Sequence, residues 1–287
     1  MSMAAGVLGL FRTRPLSPVG EDGRMSLGDH FRELRGRLMR SLLVFLVLLV
    51  VAFFFYNDLL NLVMAPYNEA RKALGSDVQT EAYIKGATGP LMLNLKLCSM
   101  AALVVASPYW LYQIWAFIMP GLHPHEKRWT RVFVAIAGPL FLLGVAVGYY
   151  VLPKGLEVLI GFTPANLANL VEFGEYYTFL TRMLLVFGIA FEIPLFVVLL
   201  SLAGVVSGKT LGQYRAWIVV GTFVFAAVAT PSTDPISMLF LAVPMTVLFL
   251  VSEVVARLVD RRRARQSGQN NWADDEASPL PPTHDAS

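Results

Sequence analysis

The sequence predicts an all-α polytopic membrane protein, six transmembrane helices in a curved bundle with both termini on the cytoplasmic side. Three observations lead there. Of 287 residues, 56% are hydrophobic and only 15% charged, with a mean hydropathy of +0.59, whereas a soluble chain carries about a quarter charged residues. The apolar residues are gathered into blocks of about 15–25, the length that crosses hydrocarbon at about 1.5 Å per helical residue. The basic residues cluster between alternate blocks, and 17 of the 23 fall on one predicted face.

Taken in order, residues 1–25 hold Arg12, Arg14 and Arg24 among prolines and glycines and read as a flexible cytoplasmic extension. Ser26 and Asp29 fit a capping box. Leu27, Phe31, Leu34 and Leu38 then share one face while Asp29, Arg32, Glu33, Arg35 and Arg37 occupy the rest, which predicts a short amphipathic helix on the membrane surface. Apolar blocks predict spans over 41–56, 95–119, 132–152, 177–202, 216–229 and 236–252. Between the first two, 57–94 is a long segment, partly helical over 58–74 and punctuated by Gly75 and by Gly86 to Pro90. Pro108, Pro139 and Pro244 predict kinks and hence curvature. Gly144 and Gly148 form a GxxxG that suits close helix packing. The organisation is therefore an extension over 1–25, a six-span membrane domain over 26–255, and a basic then disordered cytoplasmic tail over 256–287.

Orientation follows from charge. Arg12 to Arg40, Lys127 to Arg131, Lys209 with Arg215, and Arg257 to Arg265 share one face, whereas Arg71, Lys72, Lys85, Lys96, Lys154 and Arg182 lie at the other. The positive-inside rule puts the first set, and both termini, in the cytoplasm. The net charge of +3 and pI near 9.0 thus reflect membrane topology, with the lipid bilayer rather than nucleic acid as partner. One cysteine, Cys98, excludes an internal disulfide, and the four histidines all lie outside the apolar blocks, so no metal or cofactor is expected. Residues 4–11 are too short for a signal peptide, and the first long block is expected to remain as a helix.

Three stretches stand out: His30-Phe31-Arg32-Glu33-Leu34-Arg35-Gly36-Arg37-Leu38, Phe117 to Arg128 with Pro120, Gly121, Leu122 and Glu126, and Phe187-Gly188-Ile189-Ala190-Phe191-Glu192-Ile193-Pro194. In order and on this topology they resemble the H-x-x-E-L-R-x-R-L, F-x-x-P-G-L-x-x-x-E-[KR]-R and F-G-x-x-F-E-x-P patterns of the TatC family, the twin-arginine protein translocase subunit. Thr230-Pro231 with Asp234-Pro235 resembles that family's short outer turn between spans five and six. The chain departs from the pattern in its long N-terminal extension, an extra residue in the outer turn, and Arg182 in span four.

The resemblance implies a cupped fold and a receptor and translocation core of the cell inner membrane, not an enzyme. It implies binding of folded precursors through N-terminal signal peptides with paired arginines. It also implies work with TatA- and TatB-like single-span proteins in an oligomeric complex driven by the protonmotive force. The family places signal contact at residues matching Glu33 and Glu126, with Arg35 and Phe117 beside them, a polar partner contact at Glu192, and the outer turn at Asp234.

The residues carry a reading of their own. Paired arginines need forked, charged acceptors, and carboxylates at Glu33 and Glu126 supply them, each bond contributing about 1.5–3 kcal/mol. Equally, Glu33 lies four residues before Arg37, and Glu126 beside Lys127 and Arg128, as in ordinary solvated ion pairs of about 0.3–0.5 kcal/mol. Pro120 is expected to end its helix and Gly121 to turn the chain, while Arg35 and His30 either orient Glu33 or solvate the helix. Glu192 lies well inside span four, where a carboxylate is costly unless protonated, paired or facing a wet cavity, and Pro194 predicts a kink beside it. Arg182 is expected to snorkel outward.

Two other classes fit less well. A secondary transporter of small solutes, the alternative reading, would show internal repeats and paired ionisable groups at mid-membrane. An intramembrane hydrolase would need a nucleophile beside a base within a span. Gly204 to Thr210 resembles a P-loop but is one residue short and follows a membrane helix, so no nucleotide is expected.

Overall fold

The computed structural model describes residues 27–75, 80–122, 127–164, 167–202, 204–229 and 235–268. The extension over 1–25, Ser26, Glu126, the turn holding Asp234, and the tail beyond 268 lie outside them. Among the described residues the order is α1 (Leu27–Phe54), α2 (Tyr56–Leu74), β1 (Thr80–Tyr83), α3 (Gly89–Val105), α4 (Ser107–Leu122) and α5 (Lys127–Gly161). It continues with β2 (Asn169–Glu172), α6 (Phe173–Leu202), α7 (Gly208–Gln213), α8 (Arg215–Ala229) and α9 (Pro235–Gly268).

Four stretches are long and apolar enough to cross a membrane alone: Phe31–Phe54, Ala135–Gly161, Phe173–Leu202 and Met238–Arg261. The pair α3 and α4, bent by 54° at the break between them, is long and apolar enough for a crossing when taken together. The fifth predicted span, 216–229, corresponds to α8, whose 15 residues reach about 22 Å against a core of about 30 Å.

Several expectations are corrected. The amphipathic helix and the first span are one uninterrupted helix, because no proline lies between 27 and 54 and nothing crowds the helical Gly36. At about 42 Å α1 outruns the hydrocarbon, so Glu33 and Arg37 sit in its first turns beyond the most apolar stretch. Span two is not one helix. Pro108 cannot donate to Val104 and its ring crowds that carbonyl, so α3 stops at Val105 and α4 starts at Ser107. The indole of Trp110 donates to the Leu103 carbonyl at 3.0 Å, which occupies one acceptor stranded by the break. Pro120 does not end α4, which runs two residues further to Leu122. The helix of span six does not stop at 252 but continues through the arginines to Gly268: charge ends a span, not a helix.

Burial orders the bundle. Half of the apolar window of α6 is buried against 6% of that of α1, so α6 is the central post and α1 a peripheral one. The α5–α6 contact is backbone to backbone. A Cβ on Gly144 would lie 2.5 Å from the Phe187 carbonyl oxygen, and one on Gly188 would lie 2.7 Å from the Phe141 ring, so the GxxxG reading holds. Around this seam Leu152, Leu180, Met183, Phe187 and Leu241 form the main apolar core. A second core joins α4, α5 and α6 through Leu111, Trp115, Phe141 and Leu199. α9 packs on α6 and α8, with Ser252 donating to the Pro194 carbonyl at 2.9 Å.

One feature lay outside the all-α expectation. β1 and β2 pair in parallel with Thr80 opposite Asn169 and Tyr83 opposite Glu172, at one end of the bundle beside α2. Tyr67 of α2 bonds Thr80 through their hydroxyls at 2.9 Å. Pro66 lies inside α2 and removes the donor that would serve Leu62. Tyr149 of α5 donates to that carbonyl at 2.8 Å, and Tyr176 of α6 donates to Val63 next to it. The kinked cap helix is thus tied to spans three and four by hydroxyls.

Candidate functional site

Glu33 stands on the first turns of α1, half-buried, and its partner is Arg37 one turn on. Arg37 Nε and Nη2 donate to Glu33 Oε1 at 2.9 and 2.5 Å. The third arm, Nη1, crosses to α4 and donates to Gln113 Oε1 at 3.3 Å. Gln113 is 4% exposed, so this bond meets a buried amide that would otherwise be costly. The ordinary i,i+4 pair is therefore present, but it is also a bridge between helices.

That bridge brings two sequence-predicted regions together. Gln113 and Phe117 are one turn apart on α4, and Phe117 is half-buried near its end. Glu126, four residues past the end of α4, lies outside the described residues, as do His123 and His125. Arg35 is exposed; Glu33 is oriented by Arg37. The side chain of His30 is outside the described set.

The same α4 reaches the second predicted site. Trp115 Nε1 donates to Glu192 Oε2 of α6 at 3.3 Å, while Glu192 Oε1 is buried without a hydrogen-bond partner among the described residues. An indole only donates, so it serves the carboxyl oxygen in either protonation state. The Trp115 ring packs against Phe133 and Phe196 with centroids 6.2 Å away in both cases, which fixes the indole edge toward the acid. α6 carries Pro194 as one continuous helix. Arg182 is exposed.

A third polar cluster was missed. Glu253 of α9 is 2% exposed and accepts a fork from Arg215 of α8, Nε to Oε2 at 2.9 Å and Nη2 to Oε1 at 2.7 Å. Arg257 adds Nη2 to Oε1 at 2.6 Å. Close by, the backbone N–H of Gly208 donates to Asp260 Oδ2 at 2.7 Å, and Ser207 caps α7 by accepting from the Thr210 amide at 3.1 Å. The glycine-rich loop thus spends its amides on α9 and on its own cap, against a nucleotide reading. A Cβ on Gly208 would lie 2.6 Å from the Arg257 backbone N, so glycine is there for close approach. The signals were the Glu253–Arg257 spacing of four, and a lone amide, Gln113, inside an apolar block.

The comparisons agree on one family. Residues 29–244 match the family model for "Sec-independent protein translocase protein (TatC)". A Sec-independent protein translocase protein TatC of Frankia casuarinae is 42% identical over 269 residues, covering 91% of this chain and 74% of that protein. That of Corynebacterium kroppenstedtii is 39% identical over 281 residues, with 90% and 68% covered. A crystal structure of the twin arginine translocase receptor TatC superposes with a TM-score of 0.63 at 32% identity, over 80% of this chain and 98% of that one.

Proposed function

Because this chain belongs to the TatC family of Sec-independent protein translocases, multi-pass membrane proteins rather than enzymes, we propose that it is the signal-peptide receptor of a twin-arginine translocase. In this reading it lies in the cytoplasmic membrane with both termini inside. It binds paired arginines of folded precursors and works with TatA- and TatB-like single-span partners as part of an oligomeric complex, on the protonmotive force.

The observation that carries the reading is the Arg37–Gln113 bridge, which sets the Glu33 end of α1 against the Phe117 end of α4. Glu126 follows α4 within four residues of chain, and in this reading it joins Glu33 in one site. Two carboxylates can each take a planar guanidinium in a fork, which a lysine ammonium cannot reproduce. Phe117 supplies an apolar wall, and Arg35 remains exposed beside the acids.

Photocrosslinking tests it, with a photoreactive residue in the precursor beside its paired arginines and a twin-lysine precursor as control. Glu33→Ala or Glu126→Ala lowers specific crosslinking and leaves membrane insertion intact. Undiminished crosslinking in the double variant rules the site out.

A further inference from the structure

The carboxylate proposed to take the signal's arginine already holds an arginine of its own chain. Both bonds from Arg37 to Glu33 converge on Oε1, and Oε2 accepts none among the described residues. The same guanidinium keeps a third arm on Gln113. An isolated i,i+4 pair on an exposed helix has no such second anchor. Here one planar cation is shared between a half-exposed acid on α1 and a buried amide on α4.

We propose that Arg37 is a resident competitor for Glu33, and that Gln113 is the acceptor that keeps it when a signal arginine takes the carboxylate. This rests on the reading that Glu33 binds the signal. Oε2, which accepts no bond among the described residues, gives an incoming guanidinium its first bond. The newcomer then replaces the two donors of Arg37 with two of its own, and Arg37 stays bonded to Gln113. For arginine the exchange is like for like. Lysine offers a compact ammonium with no fork, so it must displace two charge-assisted bonds without matching their geometry. Selectivity then comes from what must be displaced as well as from what is gained.

The test uses the full chain in native membranes and crosslinking of twin-arginine and twin-lysine precursors. In Arg37→Gln the twin-lysine signal rises about tenfold more than the twin-arginine signal, roughly one charged hydrogen bond of discrimination. Arg37→Lys, which keeps the charge and loses the fork, falls between Arg37→Gln and the unaltered chain. Gln113→Leu lowers twin-arginine crosslinking because a displaced Arg37 has no acceptor, and the loss disappears in Arg37→Gln/Gln113→Leu. An arginine-to-lysine ratio unmoved in both Arg37 variants overturns the competitor. A Gln113→Leu loss that survives in the double variant overturns the acceptor role. Glu33→Gln separates the two ideas. If it leaves twin-arginine crosslinking intact, the signal-site reading fails; if it abolishes crosslinking while the Arg37 variants keep the ratio, only the competitor fails.

Discussion

Replacing both Arg215 and Arg257 with alanine takes from the Glu253 carboxylate both of the cations bonded to it, and the cost can be worked from its surroundings. The Glu253 side chain is 2% exposed, whereas those of Arg215 and Arg257 are 51% and 48% exposed. Either arginine alone still neutralises the acid, and the bonds lost are already weakened by solvent, so each single substitution costs little. Losing both removes these cations and also uncovers the acid, since the two half-exposed arginines are what shield it, so the cost is that of an acceptor water can reach, about 1–3 kcal/mol. Glu253→Gln goes the other way: it leaves two half-exposed guanidiniums that water reaches, at about 1 kcal/mol or less. Cys98 is fully buried and serves as the reporter, through a thiol-reactive dye that fluoresces on unfolding in detergent. Melting should fall roughly 2–4 °C per kcal/mol, with the double alanine variant well below either single one. A double variant no less stable than the worse single, or Glu253→Gln as the least stable of all, refutes the reasoning.

Glu192→Gln keeps the oxygen that accepts from Trp115 and retains most transport, while Glu192→Ala and Glu192→Leu lose more, with precursor crosslinking spared in all three. Leu transporting like the unaltered chain removes any polar role, and Gln failing like Leu shows that ionisation matters. Gly144→Ala places a Cβ 2.5 Å from the Phe187 carbonyl oxygen and destabilises by about 1–3 kcal/mol, whereas Gly221→Ala, in open space, gains up to about 1 kcal/mol; equal melting of the two contradicts the backbone contact. Cysteines at positions 20 and 268, with Cys98→Ala, should react with an impermeant thiol reagent only from the cytoplasmic side, and labelling from outside intact cells sinks that orientation. Four leucines added to α8 should impair transport or partner binding, since a helix of about 22 Å suits a thinned edge where single-span helices dock; normal transport counts against docking there.

Much of the bundle was legible because the bilayer imposes length and composition on each helix. The apolar blocks located α5, α6, α8 and the apolar part of α9, and the glycine pair at 144 and 148 correctly announced a close seam. What hydropathy does not encode is direction. The block over 95–119 is equally apolar before and after Pro108, so its 54° bend left no mark beyond the proline. β1 and β2 are four residues each and 89 positions apart in register, too short for a period-two pattern to emerge. Glu33 and Glu192 were found as single residues, since an acid at a membrane surface or in a span is conspicuous. The Glu33–Arg37 spacing was legible too, but the contacts between helices were not, because Arg37 reaching Gln113, and Trp115 reaching Glu192, depend on which helices are neighbours. Glu253 escaped notice by lying one residue past the expected end of span six.

The two hydroxyls that meet α2 near Pro66 come from different spans, Tyr149 from α5 and Tyr176 from α6, and land on adjacent carbonyls, Leu62 and Val63. Neighbouring carbonyls on one helix are a fixed ruler, so α2 gauges the relative height of spans three and four. Sliding one past the other by a helical turn, about 5.4 Å, must break at least one of the two bonds, and where it is the Tyr149 bond the Leu62 carbonyl, whose helical donor Pro66 removes, goes unserved. A motion that keeps both bonds therefore carries α5 and α6 together relative to α2, and its play is taken up elsewhere in the bundle.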